Sequence, residues 1–199
     1  MRINKKLVTL ALCGALSISG TLLSFANDAS YFYNDVYEGT KFIIGESMPN
    51  GYYCLFNTKD TKKASYSIKS GSYVLISDSF KYNAIVYVED DDVMHLTNCY
   101  AVPLDQARIN PIEECMVMVG EHIPAGTYQL DYLRGTSNAA TCTVYETLDF
   151  HDEYEEDKTT VEDVSEVTKI SNGSTTKVEL EEGQYVQLNG CRLITVEKK

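Results

Sequence analysis

The stretch "GESMPNGYYCL", Gly45 to Leu55, returns 75 residues later as "GEHIPAGTYQL", Gly120 to Leu130. Six of the eleven positions are identical, where average residue usage gives roughly one. Two more blocks keep the same order. "ASYSIKS" (Ala64 to Ser70) matches "ATCTVYE" (Ala140 to Glu146) at a spacing of 76, and "YVEDDDVMHLTNCYAV" (Tyr87 to Val102) matches "ELEEGQYVQLNGCRLI" (Glu179 to Ile194) at 92. Three blocks written twice in one order imply two units of one fold. The last spacing exceeds the second by 16, so the second unit carries an insertion, expected near residues 149–174.

The blocks have strand and turn chemistry. In "FIIGESMPNGYYCLF" and "MVMVGEHIPAGTYQL", apolar runs meet through a turn. Pro49 and Pro124 preset φ there and Gly51 and Gly126 follow as exits, a strand-turn-strand pattern. "KVELEEGQYVQL" alternates Val178 and Leu180 with Val186 and Leu188 about Glu181–Gln184, which reads as a hairpin. Asn98 and Gly190, equivalent by spacing, tolerate positive φ and suggest a bend. With 15 Tyr and no Trp, the expected fold class is all-β: two tandem homologous β-sandwich or jelly-roll-like repeats, each of five or six short strands. Repeat 1 spans 40–110 and repeat 2 spans 111–199. Helix is expected only in the N-terminal signal and in short pieces near Leu104–Ile109 or Val161–Val167.

A strand ending in Val-Gly, then Ile-Pro-Ala-Gly-x-Tyr-x-Leu, then Gly-Gln-Tyr-x-x-Leu-x-Gly-Cys resembles the β-repeat of secreted and surface proteins from Gram-positive, clostridia-type bacteria. Gly120, Ile123, Pro124, Gly126, Tyr128, Gly183, Tyr185, Leu188 and Gly190 carry the resemblance, whereas the first repeat departs at Met48, Asn50 and Asp91. Over about 150 residues the resemblance implies a fold and a compartment. The shared positions are turn and core types, so it transfers no active site.

The first 26 residues read as a signal peptide. Arg2, Lys5 and Lys6 precede an apolar run from about Leu7 to Leu23, and Ser24-Phe25-Ala26 supplies small residues for cleavage between Ala26 and Asn27. The expected location is secreted or on the extracellular cell surface, with no membrane span after cleavage. Cleavage removes three of 17 positive charges and none of 29 negative ones, leaving 14 − 29 = −15. A surface so negative repels nucleic acid and anionic lipid, so neither is an expected partner.

Candidate chemistry is sparse. The chain's three histidines, His95, His122 and His151, face Gln187, Ser47 and no counterpart across the repeats. There is no zinc-helix spacing, no Gly-x-Ser-x-Gly elbow and no phosphate-cradling loop before a Lys. No catalytic residue, metal ligand or cofactor is therefore expected, and the chain reads as non-enzymatic. Of Cys54, Cys99, Cys115, Cys142 and Cys191, only Cys99 and Cys191 are equivalent. Two bridges plus a free thiol allow 15 arrangements. The lack of a shared pairing favours small buried side chains instead.

"EDDD", Glu89–Asp92, is either a calcium-type cluster or a solvated turn, and its partner "EEGQ" favours the turn. The acidic insertion is either a solvated loop or a docking loop for a basic partner. In the aromatic segment 27–39, Tyr31, Tyr33 and Tyr37 are candidate ligand-binding residues, able to stack on sugar or peptide, with packing against a sheet edge as the rival. The expected function is a non-catalytic extracellular β-repeat module binding a cell-envelope, glycan or protein ligand. The alternatives are a secreted hydrolase with an unrecognised active site or a purely structural envelope protein.

Overall fold

The computed structural model describes residues 33–59, 62–111, 113–133, 140–151, 164–171 and 173–195. The signal segment with Ala26 and Asn27, Tyr31, and residues 152–163 of the acidic insertion lie outside them. The protein is all-β. The first half contributes β1 (Lys41–Ile43), β2 (Gly51–Asn57), β3 (Ala64–Ser70), β4 (Tyr73–Phe80), β5 (Asn83–Val88), β6 (Val93–Thr97) and β7 (Cys99–Pro103). The second contributes β8 (Met116–Met118), β9 (Gly126–Tyr132), β10 (Ala140–Tyr145), β11 (Val164–Ile170), β12 (Thr176–Leu180), β13 (Tyr185–Asn189) and β14 (Cys191–Thr195). Between the halves, Leu104–Gln106 forms one 3-10 turn.

Each half has a four-stranded and a three-stranded antiparallel sheet. The orders are β1-β6-β3-β4 and β5-β2-β7 in the first half, and β8-β13-β10-β11 and β12-β9-β14 in the second. The strand order is therefore the same in both. Each half holds its own core between its two sheets. Leu55, Val86 and Ala101 of the three-stranded sheet meet Ile68, Met94 and Leu96 of the other in the first. Leu130 and Val178 meet Val144, Val186 and Leu188 in the second. Each of these Val, Leu, Ile and Met side chains contributes about 1.5–3 kcal/mol by leaving water.

Three details differ from the sequence expectation. Among the described residues there are seven strands per half, not five or six. The block that reads as a hairpin is a corner: β12 pairs with β9, whereas β13 pairs with β8 and β10, so Glu181–Gln184 carries the chain from one sheet to the facing one. Alternating apolar residues on both arms point into the same core whether the arms pair or face each other across it, so periodicity does not separate the two cases. Finally, the expected insertion window contains β11, the counterpart of β4. Two residues, 71–72, join β3 to β4, while 18 residues, 146–163, join β10 to β11, an excess of 16. Residues 164–170, expected as insertion or short helix, form a strand.

The corner before β2 and β9 accounts for the repeated phrase. Gly45 and Gly120 take φ of 86° and 97°, which disfavours any residue with a Cβ. A Cβ there would also stand 3.1 Å from the Asp90 carboxylate or 2.9 Å from Glu182 Cγ. The Gly45 and Gly120 N–H groups donate to Met48 and Ile123 carbonyls at 2.8 and 2.7 Å. Buried Tyr53 and Tyr128 donate their hydroxyls to the carbonyls of Pro49 and Pro124 at 2.8 and 2.6 Å. The tyrosines are thus core residues whose one polar atom is satisfied by the turn they sit under. Asn98 and Gly190 take φ of 58° and 68°, as their residue types suggest.

The halves are joined by a third apolar cluster, Ile85, Met116, Leu148 and Tyr185, and by polar links. Buried Asn83 donates Nδ2–H to the Met116 carbonyl at 2.7 Å and accepts the Met116 N–H at 3.3 Å. The Ile85 N–H donates to Met116 Sδ at 3.2 Å, and Gln187 Nε2–H donates to Asp78 at 2.7 Å. Lys81 is ion-paired with Glu114.

Candidate ligand cleft between the halves

A cleft of about 880 Å³ opens at this junction. Asn50–Tyr53 at the start of β2 form one wall, Pro103–Asp105 and Ala107–Ile109 of the connection form another, and Met118, Glu121, His122 and Tyr185 come from the second half. Corners and connections surround it because chain ends of both sandwiches meet there. Its volume lies within the range of small-ligand sites.

The aromatic lining, Tyr52 and Tyr53 of β2 and Tyr185 of β13, comes from two strands. Tyr52 is 38% exposed, and its ring lies nearly parallel to Tyr185 (6.0 Å between centroids, 11° between planes) and 4.7 Å between centroids from Tyr87, which backs the lining. Burial, with the neighbouring Tyr52, pushes the Tyr185 phenol up to about 12. Burial also pushes Tyr87 up to about 12, helped by its hydrogen bond to Glu89. Both remain neutral hydrogen-bonding groups at any physiological pH. Beside this platform stand Asn50, Asp105, Arg108, Glu121 and His122, donors and acceptors of both charge signs around one flat apolar face.

Comparison with family models, with curated proteins and with solved structures returns no match.

His122 is the imidazole of the cleft. Its Nδ1 accepts the Met118 N–H at 2.9 Å, the role Ser47 Oγ plays for the Ile43 N–H at 2.9 Å in the first half. Nε2 therefore carries the proton of the neutral ring. Burial lowers its pKa, opposed by the Glu121 charge and outweighing it. A histidine depressed in the folded state binds its proton first in the unfolded chain. Its contribution to stability is thus present above the ordinary pKa near 6.5 and lost as pH falls below it. His122→Ser keeps the acceptor for Met118 and removes the titration. The variant is expected to lose less stability than the parent between pH 6.5 and 5, measured by urea unfolding at each pH, and an unchanged pH dependence contradicts the assignment.

Of the sequence-selected tyrosines within the described residues, Tyr33 and Tyr37 do not line this cleft themselves. Tyr33 is half-buried and stacks on Phe56 at 5.9 Å, which stacks on Tyr100 at 5.6 Å. Tyr37 exchanges backbone hydrogen bonds with Ala101 (2.9 and 3.1 Å), and its ring meets Tyr53 and Phe42 edge-on. It also borders a separate recess of about 450 Å³ beside Gly45–Asn50. Both pack along the β7 side of the three-stranded sheet, behind Tyr53 and Arg108 of the cleft wall. His95 is exposed on β6.

The five cysteines among the described residues are free and buried. Cys99 and Cys191 donate to the Ser65 and Thr141 carbonyls at 3.6 and 3.3 Å, and burial pushes both thiols up to about 11. They are packing residues rather than nucleophiles.

The "EDDD" turn is not uniformly solvated. Asp90 and Asp91 are exposed, but Asp92 is 1% exposed. Asp92 accepts the Glu89 N–H at 2.9 Å and faces His151 Nε2 at 3.0 Å, while Asp149 Oδ1 lies 2.7 Å from His151 Nδ1. Partial burial works against the imidazolium, but hydrogen bonds to Asp149 and Asp92 and the charges of Asp92 and Glu89 outweigh it and raise the His151 pKa. Both ring nitrogens are thereby committed to carboxylates. No hydroxyl or thiol is bonded to His151 among the described residues.

Proposed function

We propose that this chain, once exported and cut after Ala26, is a non-catalytic extracellular module that binds a neutral cell-envelope glycan in the cleft between its halves. The observation that carries this reading is the exposed Tyr52 ring, stacked on Tyr185 at the floor of a concave cleft and edged by hydrogen-bonding side chains. The C–H face of a sugar ring packs on an aromatic face, and its hydroxyls need donors and acceptors at the rim. A protein partner fits less well, because a stable interface wants roughly 800 Å² of matched surface per side rather than a narrow recess. The net charge of −15 calculated above favours neutral over acidic sugars.

The test is calorimetric titration of the mature chain with a panel of neutral oligosaccharides. Saturable binding is expected. Tyr52→Ala should weaken it about 10- to 100-fold, taking the ring's contribution as that of base–aromatic stacking, about 1–3 kcal/mol. Undiminished affinity in the variant, or no binding to any member of the panel, would sink the proposal.

A further inference from the structure

The turn after β5 and the turn after β12 do the same backbone job with different side chains. Asp92 accepts the Glu89 N–H at 2.9 Å, and Gln184 Oε1 accepts the Glu181 N–H at 2.8 Å. A neutral amide suffices for the turn. The negative charge of Asp92, in a side chain 1% exposed, is surplus to it and needs a cation. Glu89, Asp92 and Asp149 together surround the one imidazole of His151. Even a protonated ring leaves this group at −2, and no Lys or Arg is ion-paired to any of the three carboxylates among the described residues.

The geometry also orients the ring. With Nε2–H donated to Asp92, the neutral imidazole presents the Nδ1 lone pair on the side of Asp149. Ligand atoms of Glu89, Asp149 and His151 all lie within 4.8 Å of one another. Glu89 is itself held by the Tyr87 hydroxyl at 3.1 Å. A carboxylate behind the imidazole and a phenol behind the carboxylate are the outer contacts that metal-ligating side chains require.

We infer that Glu89, Asp149 and His151 form a binding site for a divalent cation of the zinc class, with Asp92 as the residue that positions the imidazole. One nitrogen and two carboxylates suit Zn²⁺, whereas Ca²⁺ and Mg²⁺ prefer oxygen-only sets with more ligands. Bonds of about 2.0 Å in a tetrahedron separate ligand atoms by about 3.3 Å, so Asp149 moves back by about half an ångström to admit the ion. Three protein ligands leave a fourth position for water. The ion ties the segment after β10 to the β5–β6 turn, one half to the other. The site stands apart from the glycan reading, and neither experiment depends on the other.

The test is calorimetric titration of tag-free mature chain, dialysed against chelator, with ZnCl₂, CaCl₂ and MgCl₂ in separate runs. One saturable Zn²⁺ per chain is expected, with Ca²⁺ and Mg²⁺ at least about 10-fold weaker. His151→Gln and Asp149→Asn should each weaken Zn²⁺ at least about 10-fold, and Asp92→Asn, which touches no metal, by about 10- to 100-fold. His95→Gln and His122→Ser should change nothing. Absence of one-to-one binding by the parent chain overturns the inference whatever the variants do. So does parental affinity in His151→Gln, or loss of binding in the His95 or His122 variant.

Discussion

Asn83→Leu is expected to lower the unfolding free energy by about 3 kcal/mol. β8 is an edge strand that pairs only with β13, and on its other side the Asn83 amide serves as a one-residue substitute for a strand, taking both the N–H and the carbonyl of Met116. Met116 is 3% exposed, so water does not replace what leucine cannot supply. Each buried backbone group left unpaired costs about 1–3 kcal/mol, and the added apolar surface recovers only part. Urea unfolding should show a lower midpoint with an unchanged slope. A loss below about 1 kcal/mol would mean that the halves are held by the apolar cluster alone.

Asn83 also shows what the sequence could not reveal. By the spacing of 92 its counterpart is Thr175, which is exposed, whereas Asn83 is buried where the first half meets the second. The same holds for the cleft. Tyr52 stands opposite Thr127, Tyr87 opposite Glu179, and Tyr185 opposite Val93. None of the three platform tyrosines is repeated, whereas the repeated Tyr53 and Tyr128 are buried under their turns. Likeness between the halves marks positions that each sandwich needs for itself. Difference marks positions that serve the junction, and an aromatic set against a non-aromatic residue was the signal available.

Strand identity was legible because β-branched and aromatic runs broken by Gly, Pro and Asn leave few other options. Strand pairing was not. Val178 and Val186 lie on opposite arms of an acidic turn and both reach the second core, one from each sheet, and alternation records only that they are buried. The acidic turn was misleading for a similar reason. Four consecutive acidic residues read as solvated, yet the last folds under the turn and faces a histidine 59 residues away, a partner that no local pattern announces.

Leu130→Ala is expected to cost about 3 kcal/mol, a large part of the roughly 5–15 kcal/mol that separates a folded domain from its unfolded state. Leu130 is fully buried at the centre of β9, with Thr176 of β12 and Leu193 of β14 paired on its two sides. The surrounding β-strands are fixed by their ladders and collapse little into the space left behind. Leu55→Ala in β2 should cost a similar amount, since its surroundings in the first core match. The two cores are separate clusters, linked through Ile85, Met116, Leu148 and Tyr185 and through Asn83. While that link holds, weakening one half weakens the whole, and each single variant should unfold in one transition with a lower midpoint. Combining Leu130→Ala with Asn83→Leu removes stability from the second half and the fastening to the first. The double variant should then unfold in two steps, the second half first, visible as non-coincident tyrosine fluorescence and circular dichroism curves. One coincident transition in the double variant would place the coupling in the apolar cluster, and the next substitution to make would be Ile85→Ala.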